Sequence, residues 1–597
     1  MLKTLLGIIL LLVPFLLLSR FKDKKLGFAY ILGFLTAFQL AVAIITQAFG
    51  VFRWSFIIII NIAVDLIVLT RINFKELKDE IKTINLKNID WALILVIIVL
   101  FIELFSVHYD YTGKVTTIDT SYKEVKNMRY TYPYFSDEWV SVSLVQYSIT
   151  SGKLPIANPS WYNNFFPNLE LPFHSFVSEL ILLLGLNPLT NYSLLALFSG
   201  ILICILVYFI LRINNIGKLV SSITCLSVPY IVNGANLPGL WTFIPLIMGV
   251  ICLLLGFLFI SADKRKMFMF AGLLTLIFYP PLFVIYTVGF LFYFAFSDMP
   301  KKTKRNYILF YLFVIMASAS VVGVFSYLKM DLSITDFVFH FIRNKMIYPT
   351  LTANAIPNFS IYQILPIPII LLAVFGGFKI FKKKLWLAAS VIAGLLYWWF
   401  YSFMLWRFVI EYERIVFTTA VLMTVLAGFG LFYLSEYLKE IEAIKKYNLV
   451  KIGLIIVLAL FLFLAFSYTQ RDNWKELKLY SVIDDARFSP ASPANQYLHE
   501  DDLKLFENIS GKRFLSLPWK GLVIGVATEN YPLETKESTI TNQIVRHSEF
   551  VRTDCANKTR LAKENGIDYV YSWEFNCTGF KEIGRSEEDL VLYEAER

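Results

Sequence analysis

Charged residues are scarce in this chain. Asp, Glu, Lys and Arg make up 17% of its 597 residues, where soluble globular proteins have about 25%. Hydrophobic residues make up 57% and the mean hydropathy is +0.61, which excludes a disordered chain, a fibre, a coiled coil and a cytosolic multidomain enzyme. The chain also lacks Cys and His at metal-ligand spacing and a Gly-rich phosphate-binding motif, which argues against a metal centre and an ATP-driven machine.

The positive charge is confined to one part of the chain. The net charge is +10, yet the residues after 470 carry more acidic than basic side chains. This split indicates basic residues held at one membrane face and a separate soluble domain. It excludes nucleic acid as a partner.

Apolar runs near membrane-spanning length predict about fourteen transmembrane helices. They lie at 5–19, 27–48, 54–70, 91–107, 194–211, 217–233, 241–261, 267–279, 281–297, 306–328, 361–379, 385–401, 415–435 and 450–467. No small-residue cleavage site follows the first run, so we interpret it as a helix and not as a signal peptide. The fold class predicted is an all-α polytopic membrane protein with a small C-terminal α/β domain.

Basic residues occur in alternate connections between these runs, and short basic loops stay on the cytoplasmic side. The connections of the opposite set are therefore predicted to face outward, namely 49–53, 108–193, 234–240, 280–281, 329–360, 402–414 and everything after 468. Five Asn-x-Ser/Thr triplets fall on this outer side, which gives weak support. Cys555 and Cys577 also lie there and could form a disulfide.

The outer segment 108–193 is too long for a simple connector. An aromatic run from Tyr130 to Trp139 contains Asp137 and Glu138, and the apolar stretches after it indicate two short helices along the membrane surface. The two acidic residues either cap the helix that follows or provide a carboxylate at the membrane boundary that acts as a general base. The aromatic surroundings favour the general base.

This order of elements resembles the GT-C glycosyltransferases, which include protein O-mannosyltransferases, aminoarabinose transferases and oligosaccharyltransferase catalytic subunits. The resemblance covers roughly residues 91–467, and its motifs lie at 136–139, 152–155, 172–185 and 414–430. It implies a GT-C-like membrane core at 91–468 with a catalytic first outer loop at 108–193, an added three-helix unit at 1–90, and an extracytoplasmic α/β domain at 469–597. The Trp-Trp-Asp motif of oligosaccharyltransferase tails is absent after 468, which argues against transfer of a preassembled glycan to Asn.

The resemblance also implies an activity. Asp137 would be the base that takes a proton from an acceptor hydroxyl as it attacks the sugar of a polyprenyl-phosphate donor, such as a dolichyl-phosphate sugar. Glu138 would orient the acceptor or bind a divalent ion, although no cofactor is required and a metal is not favoured. The donor phosphate would be bound by Arg414 first and Arg407 second, because Arg donates paired hydrogen bonds to phosphate.

Further candidate residues have weaker signals. Arg343 and Lys345 are additional phosphate-binding candidates, and the substrate-binding candidates are His174, Asn164 next to Asn163, Tyr134 and Glu411. Each has a structural alternative: packing for His174, turn formation for the two Asn, and an ion network at a helix boundary for the segment from Arg407 to Arg414. The acceptor could be a glycan, a lipid or a protein.

Two other classes compete with a cell-membrane enzyme. A multi-span transporter would carry ionisable residues near the middle of the membrane, where Asp65 is the clearest carboxylate and Glu103 lies near an outer end. An assembly factor for envelope polymers would need no catalysis at Asp137. In the C-terminal domain, the pattern predicts strands or short core segments at 514–517 and 521–525, a helix ending at Gly566 that leads into a strand, and a last strand at 589–593.

Overall fold

The computed structural model consists mainly of α-helices, with one small sheet domain in its C-terminal part. It describes residues 2–72, 90–116, 122–156, 168, 170–234, 237–330, 347–349, 360–404, 406–408, 412–442, 448–469, 488–489, 498–535 and 545–596. Helices suit apolar runs of this length because a helix satisfies its backbone hydrogen bonds within the segment, which a lipid environment requires.

The helices before residue 470 follow one another through mostly short connections. They are α1 (Leu2–Leu12, continued by a 3-10 helix over Val13–Arg20), α2 (Lys24–Ala48), α3 (Trp54–Arg71), α4 (Trp91–Tyr109), α5 (Ser136–Ser151), α6 (Leu171–Leu184), α7 (Tyr192–Ile213), α8 (Lys218–Leu226), α9 (Pro245–Ser261), α10 (Arg265–Phe278), α11 (Phe283–Phe296), α12 (Lys301–Met330), α13 (Ile361–Ile364), α14 (Ile367–Ile380), α15 (Leu385–Met404), α16 (Tyr412–Lys439) and α17 (Leu449–Ala465). Each predicted apolar run overlaps these helices. The run predicted at 217–233 is helical mainly in its first half, because α8 ends at Leu226 and a 3-10 turn over Val228–Tyr230 follows.

Among the described residues, seven helices are long and apolar enough to cross a membrane. They are Leu2–Arg20, Lys24–Ala48, Trp54–Arg71, Trp91–Tyr109, Tyr192–Ile213, Leu385–Phe403 and Tyr412–Lys439. Shorter apolar helices occupy Leu171–Leu184, Pro245–Ser261, Pro280–Phe296, Ile367–Ile380 and Leu449–Ala465. The chain is therefore a helical membrane protein, and the number of fourteen crossings stays a prediction.

Several helices expose large apolar side chains that a water-soluble protein would bury. On α4 these are Trp91, Ile98 and Phe101, and on α17 they include Ile456 and Phe463. Contiguous apolar surface of this kind is costly in water and costs nothing against lipid tails. The exposed faces of α4 and α17 are those expected to face lipid.

Glycines allow α14 and α16 to pack with their backbones in direct contact. A Cβ atom added to Gly430 of α16 would overlap the carbonyl oxygen of Leu372 on α14, and one added to Gly376 would overlap the carbonyl oxygen of Leu426. Small residues at facing positions are the usual means of close helix approach in membranes. This contact fixes the position of α16, whose first turn carries Arg414.

The predicted outer loop between α4 and α7 contains a hairpin and two helices. Strand β1 (Tyr111–Thr116) pairs antiparallel with β2 (Tyr122–Met128), and α5 and α6 follow. Both helices end at a glycine in the left-handed conformation, Gly152 (φ 70°) and Gly185 (φ 59°), as helix C-termini commonly do. The two short helices predicted here are therefore present. They are largely buried, because α6 packs against α1, α2 and α5 and contacts α3.

Four short strands lie between this loop and the C-terminal sheet in the chain. Strand β3 (Asn233–Gly234) pairs antiparallel with β6 (Phe488–Ser489), and β4 (Ile347–Pro349) pairs antiparallel with β5 (Trp406–Phe408). The second pair joins the segment before α13 to the segment before α16. It places the backbone of Arg407 opposite that of Tyr348.

The C-terminal part contains a five-stranded mixed sheet in the order β10-β11-β9-β7-β8. Its elements are α18 (Glu500–Leu505), β7 (Arg513–Ser516), α19 (Pro518–Thr528), β8 (Tyr531–Pro532), α20 (His547–Arg552), α21 (Cys555–Asn565), β9 (Tyr569–Trp573), β10 (Phe580–Arg585) and β11 (Leu590–Ala595). The small α/β domain predicted from the pattern is confirmed, as are the helix ending at Gly566 and the last strand. Of the two alternatives for 521–525, the segment is a buried core segment within α19 and not a strand, because apolar runs of this length do not distinguish a buried strand from a buried helix. Cys555 and Cys577 form a disulfide.

The C-terminal domain packs directly on α5. Helix α19 contacts α5, and the backbone N–H of Leu498 donates to the Tyr130 hydroxyl at 3.2 Å. Inside the domain, the fully buried Lys520 of α19 forms ion pairs with Asp502 at 2.5 Å and Glu588 at 2.6 Å. Buried charges are tolerated only when paired in this way. The pairs hold α19 against the sheet and therefore the sheet domain against α5.

We expect Gly430→Ala to destabilise the protein by about 1–3 kcal/mol, because an added methyl group would force α14 and α16 apart. The matched control is Gly453→Ala on α17, where a Cβ atom would meet nothing within 4 Å. Unfolding temperature in detergent measures both variants. A loss in Gly453→Ala as large as that in Gly430→Ala would contradict the close helix contact.

Candidate functional site

Glu138 fixes the start of α5. Its carboxylate accepts the backbone N–H of Phe135 at 3.1 Å and the backbone N–H of Phe243 at 2.7 Å. Burial raises the pKa of Glu138 to about 7, although the backbone donors favour the charged form. The carboxylate therefore caps the first turn of α5 and joins it to the segment before α9. The side chain points into the protein, which favours a positioning role for Glu138 over direct contact with an acceptor.

Asp137 forms an ion pair with Arg414. Arg414 Nη2 lies 2.7 Å from Asp137 Oδ2, and the side chains are 15% and 28% exposed, respectively. Arg414 Nη1 donates to the Tyr279 hydroxyl at 3.0 Å and lies 3.8 Å from Glu170 Oε1. We call these four residues the Asp137–Arg414 cluster. The predicted base and the preferred phosphate-binding residue, 277 positions apart in sequence, are thus in direct contact.

The cluster joins segments that are far apart in the chain. Asp137 lies in the first turn of α5, and Glu170 immediately precedes α6. Tyr279 ends α10, and Arg414 lies in the first turn of α16. Two carboxylates around one guanidinium leave an excess of negative charge, and both ionised groups of the central pair keep partial access to solvent. Such an arrangement can hold a proton acceptor beside a cation that is able to bind an anion.

His174 supports the cluster from α6. Its Nδ1 lies 3.0 Å from Asn168 Oδ1, which can only accept, so this nitrogen donates. Its Nε2, which carries no proton in this neutral form, lies 3.2 Å from Ser141 Oγ, and the same oxygen lies 2.8 Å from the Asp137 carbonyl oxygen, so the single hydroxyl proton serves one of these two acceptors at a time. Burial lowers the pKa of His174 to about 3, so the ring is neutral at neutral pH. The histidine positions α5 relative to α6.

Tyr134 is packed inside the protein. Its side chain is 2% exposed, its ring stacks on His108 and Tyr130 with centroids 4.8 and 4.6 Å apart, and its hydroxyl donates to the Val107 carbonyl oxygen at 3.3 Å. Trp241 lies edge-on at 5.9 Å. These contacts favour a packing role, so substrate contact by Tyr134 stays a prediction without geometric support.

The other predicted site residues fall outside what the structure describes. This applies to Arg343, Lys345, Asn164 with its neighbour Asn163, and Glu411. Only the backbone of Arg407 is described, in β5. Their predicted roles stay predictions.

Sequence reasoning missed Glu170, Tyr279 and Asn168. Glu170 immediately precedes the Leu171-Pro172 helix start, and Tyr279 immediately precedes Pro280-Pro281, so each position resembled an ordinary helix boundary. Asn168 accepts the backbone N–H of Glu170 at 3.1 Å and donates to the Pro155 carbonyl oxygen at 2.8 Å, which shapes the turn before α6. Their only sequence signal was a position in a predicted outer connection or directly beside one.

A cavity of about 790 Å³ lies in the C-terminal domain. Its lining includes Arg513, Tyr531, Lys563, Asp568 and Glu596. None of its lining residues belongs to the Asp137–Arg414 cluster. Among the described residues, no group of three or more His, Cys, Asp or Glu side chains could hold a metal ion.

No protein-family model matches this chain, and no curated protein matches its sequence. Among solved structures, the chain is similar to the archaeal oligosaccharyltransferase AglB from Archaeoglobus fulgidus, solved in complex with an inhibitory peptide and a dolichol-phosphate. The TM-score is 0.41 at 10% identity, over 81% of this chain and 69% of that chain.

We expect Asp137 and Arg414 to be energetically coupled. The pair is partly shielded from water, so a double-mutant cycle of Asp137→Asn and Arg414→Gln should give a coupling energy of about 1–3 kcal/mol in detergent unfolding. The control pair is Glu436 and Lys439 on α16, 2.6 Å apart and about half exposed. That pair should give at most about 0.5 kcal/mol. Equal coupling in the two pairs would rule out a special role for partial burial.

Proposed function

We propose that the protein is a GT-C-type membrane glycosyltransferase that moves a sugar from a polyprenyl-phosphate donor to an acceptor on the outer side of the membrane. The observation that carries the proposal is the ion pair between Asp137 and Arg414. Each was selected on different grounds, one as the base and the other as the phosphate ligand. A transfer of this kind needs both groups within one sugar-phosphate length of each other.

In the proposed reaction Arg414 binds the phosphate oxygens of the lipid donor and leaves the Asp137 carboxylate free to act. The acceptor hydroxyl oxygen forms a bond to the anomeric carbon, and its proton passes to Asp137. The bond between that carbon and the phosphate oxygen breaks, and the electron pair stays on the lipid phosphate. The guanidinium stabilises the negative charge that develops there. Tyr279 and Glu170 hold the Arg414 guanidinium in place while no lipid donor is bound.

Glu138, Ser141 and His174 have positioning roles in this proposal. Glu138 fixes the first turn of α5, and the Ser141 hydroxyl is shared between His174 and the Asp137 carbonyl oxygen. Rigid support of this kind keeps a general base within hydrogen-bonding distance of its substrate. A divalent metal is not part of the proposed mechanism.

The membrane topology belongs to the same proposal. With fourteen crossings, the segment 108–193, the turn at Pro280-Pro281 and the segment 402–414 all lie on the extracytoplasmic side. Asp137 and Glu170 of the cluster lie in the first of these regions. Arg414 is the last residue of the third, and Tyr279 directly precedes the second. If one of them lay on the opposite side, Tyr279 or Arg414 would be separated from Asp137 by the thickness of the membrane, so their contact supports placing the three regions on one common side. The division into residues 1–90, 91–468 and 469–597 is proposed on the same basis.

We expect Asp137→Asn to lower sugar transfer by roughly 10²- to 10⁴-fold, because the amide cannot accept the proton. The assay incubates the purified full chain with dolichyl-phosphate monosaccharides and a membrane extract, and follows both acceptor mass and released sugar. Dolichyl phosphate should still raise the unfolding temperature of the variant. The control is Glu124→Gln, an exposed acid in the same loop. Full transfer by Asp137→Asn would exclude the base role.

Arg414→Gln should raise the apparent KM for the lipid donor about 10- to 100-fold, as expected for the loss of a charge-assisted hydrogen bond worth about 1.5–3 kcal/mol. The apparent KM for the acceptor should change little. Arg129→Gln, at an exposed position in the predicted outer loop, serves as the control. An unchanged donor KM in Arg414→Gln would contradict phosphate binding by this residue.

A further inference from the structure

The cavity of the C-terminal domain, of about 790 Å³, is not used by the proposed reaction. It lies at the edge of the sheet where the parallel strands β7, β8 and β9 begin. Strand β11 runs antiparallel to β9, so the chain after β11 reaches the same edge. Nucleotide crevices of open α/β sheets lie at the opposite edge, beyond the carboxyl ends of the strands. The position of the cavity therefore does not favour a nucleotide.

The charged side chains around the cavity are evenly divided between the two signs. Arg513 at the start of β7 and Lys563 in the last turn of α21 are basic. Asp568 before β9 and Glu596 after β11 are acidic. A ligand with a net charge of either sign would lie beside two groups of its own sign. The balance favours a ligand without net charge that both donates and accepts hydrogen bonds.

The end of α21 also disfavours an anion in the cavity. Ala562, Lys563 and Gly566 belong to the lining, so the carboxyl end of this helix, where the dipole is negative, borders the ligand space. Phosphate and carboxylate groups are stabilised at the opposite, amino end of a helix.

Two of the polar residues are held in place by backbone contacts. The backbone N–H of Arg513 donates to Asp568 Oδ2 at 3.0 Å, and the backbone N–H of Asp568 donates to the Arg513 carbonyl oxygen at 2.9 Å. Arg513 Nη1 donates to the carbonyl oxygen of Asn565 at 3.3 Å. These contacts fix the plane of a guanidinium that carries five N–H groups. Groups fixed before binding lose little conformational entropy when a ligand arrives.

The cavity also has an aromatic ring in its lining. Tyr531 at the start of β8 is 41% exposed, although its backbone pairs with β7. One face of a sugar ring carries C–H groups that pack on an aromatic ring, and the sugar hydroxyl groups both donate and accept hydrogen bonds. The lining thus provides an apolar surface beside donors and acceptors, which is the combination that a sugar requires.

We propose that this cavity is a binding site for a neutral saccharide. Tyr531 is the stacking surface. The basic side chains of Arg513 and Lys563 donate hydrogen bonds to sugar oxygens. The acidic side chains of Asp568 and Glu596 accept hydrogen bonds from sugar hydroxyl groups. The volume lies within the range of about 300–1,000 Å³ that is usual for ligand pockets.

The saccharide bound here is a held part of a glycan and not the sugar that is transferred, because no lining residue belongs to the Asp137–Arg414 cluster. The C-terminal domain packs on α5, so a glycan held in the cavity stays attached to the part of the protein that carries Asp137. This role in holding a glycan acceptor rests on the proposed function, whereas the binding itself does not.

The test measures binding of cellobiose, diacetylchitobiose, mannobiose and galactobiose to the purified full chain by saturation-transfer difference NMR. The protein is placed in lipid nanodiscs, because the sugar head groups of glycoside detergents would compete. Glucuronic acid and glucosamine are the anionic and cationic comparison ligands. Wild type should bind at least one neutral disaccharide saturably and more tightly than either charged sugar.

Tyr531→Ala should weaken this binding about tenfold, because the stacking surface is lost. Tyr531→Phe keeps the ring and should keep most of the affinity. The matched control is Trp573→Ala, which removes an aromatic side chain of the same domain that is 42% exposed and does not line the cavity. This variant should bind as wild type does.

Three results would overturn the proposal: no binding of any of the four disaccharides to wild type, tighter binding of glucuronic acid or glucosamine, or wild-type affinity in Tyr531→Ala. Binding is measured without a lipid donor. A failure of sugar transfer would therefore leave this result unchanged, and a failure of binding would leave the transfer assay unchanged.

Discussion

The contact between Asp137 and Arg414 is the constraint on which the rest of the candidate site depends. Arg414 lies in the first turn of α16, where the helix dipole disfavours a cation, so the carboxylates of Asp137 and Glu170 offset an otherwise unfavourable position. Asp137 lies in the first turn of α5, where the dipole favours an anion. The pair therefore joins the first turns of two helices: the dipole of α5 stabilises the carboxylate, and the dipole of α16 destabilises the guanidinium. The whole Asp137–Arg414 cluster can form only if the starts of α5, α6 and α16 and the end of α10 lie at the same height along the membrane normal.

Helix α5 is held from two sides. On one side Glu138 joins it to the segment before α9, and the Ser141 hydroxyl joins it to His174 of α6. On the other side α19 of the C-terminal domain packs against it, with Lys520 paired to two buried carboxylates beneath. The sheet domain is thus part of the support of the candidate site. A helix this short has little stability of its own and takes its position from these contacts.

Two buried polar side chains near the end of α4 find their partners within the protein. The buried Glu103 accepts the Tyr230 hydroxyl at 2.7 Å, and His108 lies between the carbonyl oxygens of Tyr130 and Trp241.

Local sequence signals were enough to predict the helices, including the helix that follows the acidic pair Asp137 and Glu138, because each depends on neighbouring residues only. Composition and the spacing of apolar runs likewise determined the membrane class. Tertiary structure alone decided that Glu138 points inward to Phe135 and Phe243, that Glu170 and Tyr279 meet Arg414, and that the run at 521–525 is helical. These outcomes depend on how helices more than a hundred residues apart pack together, and on which polar groups then remain unpaired, information that no short stretch of sequence contains.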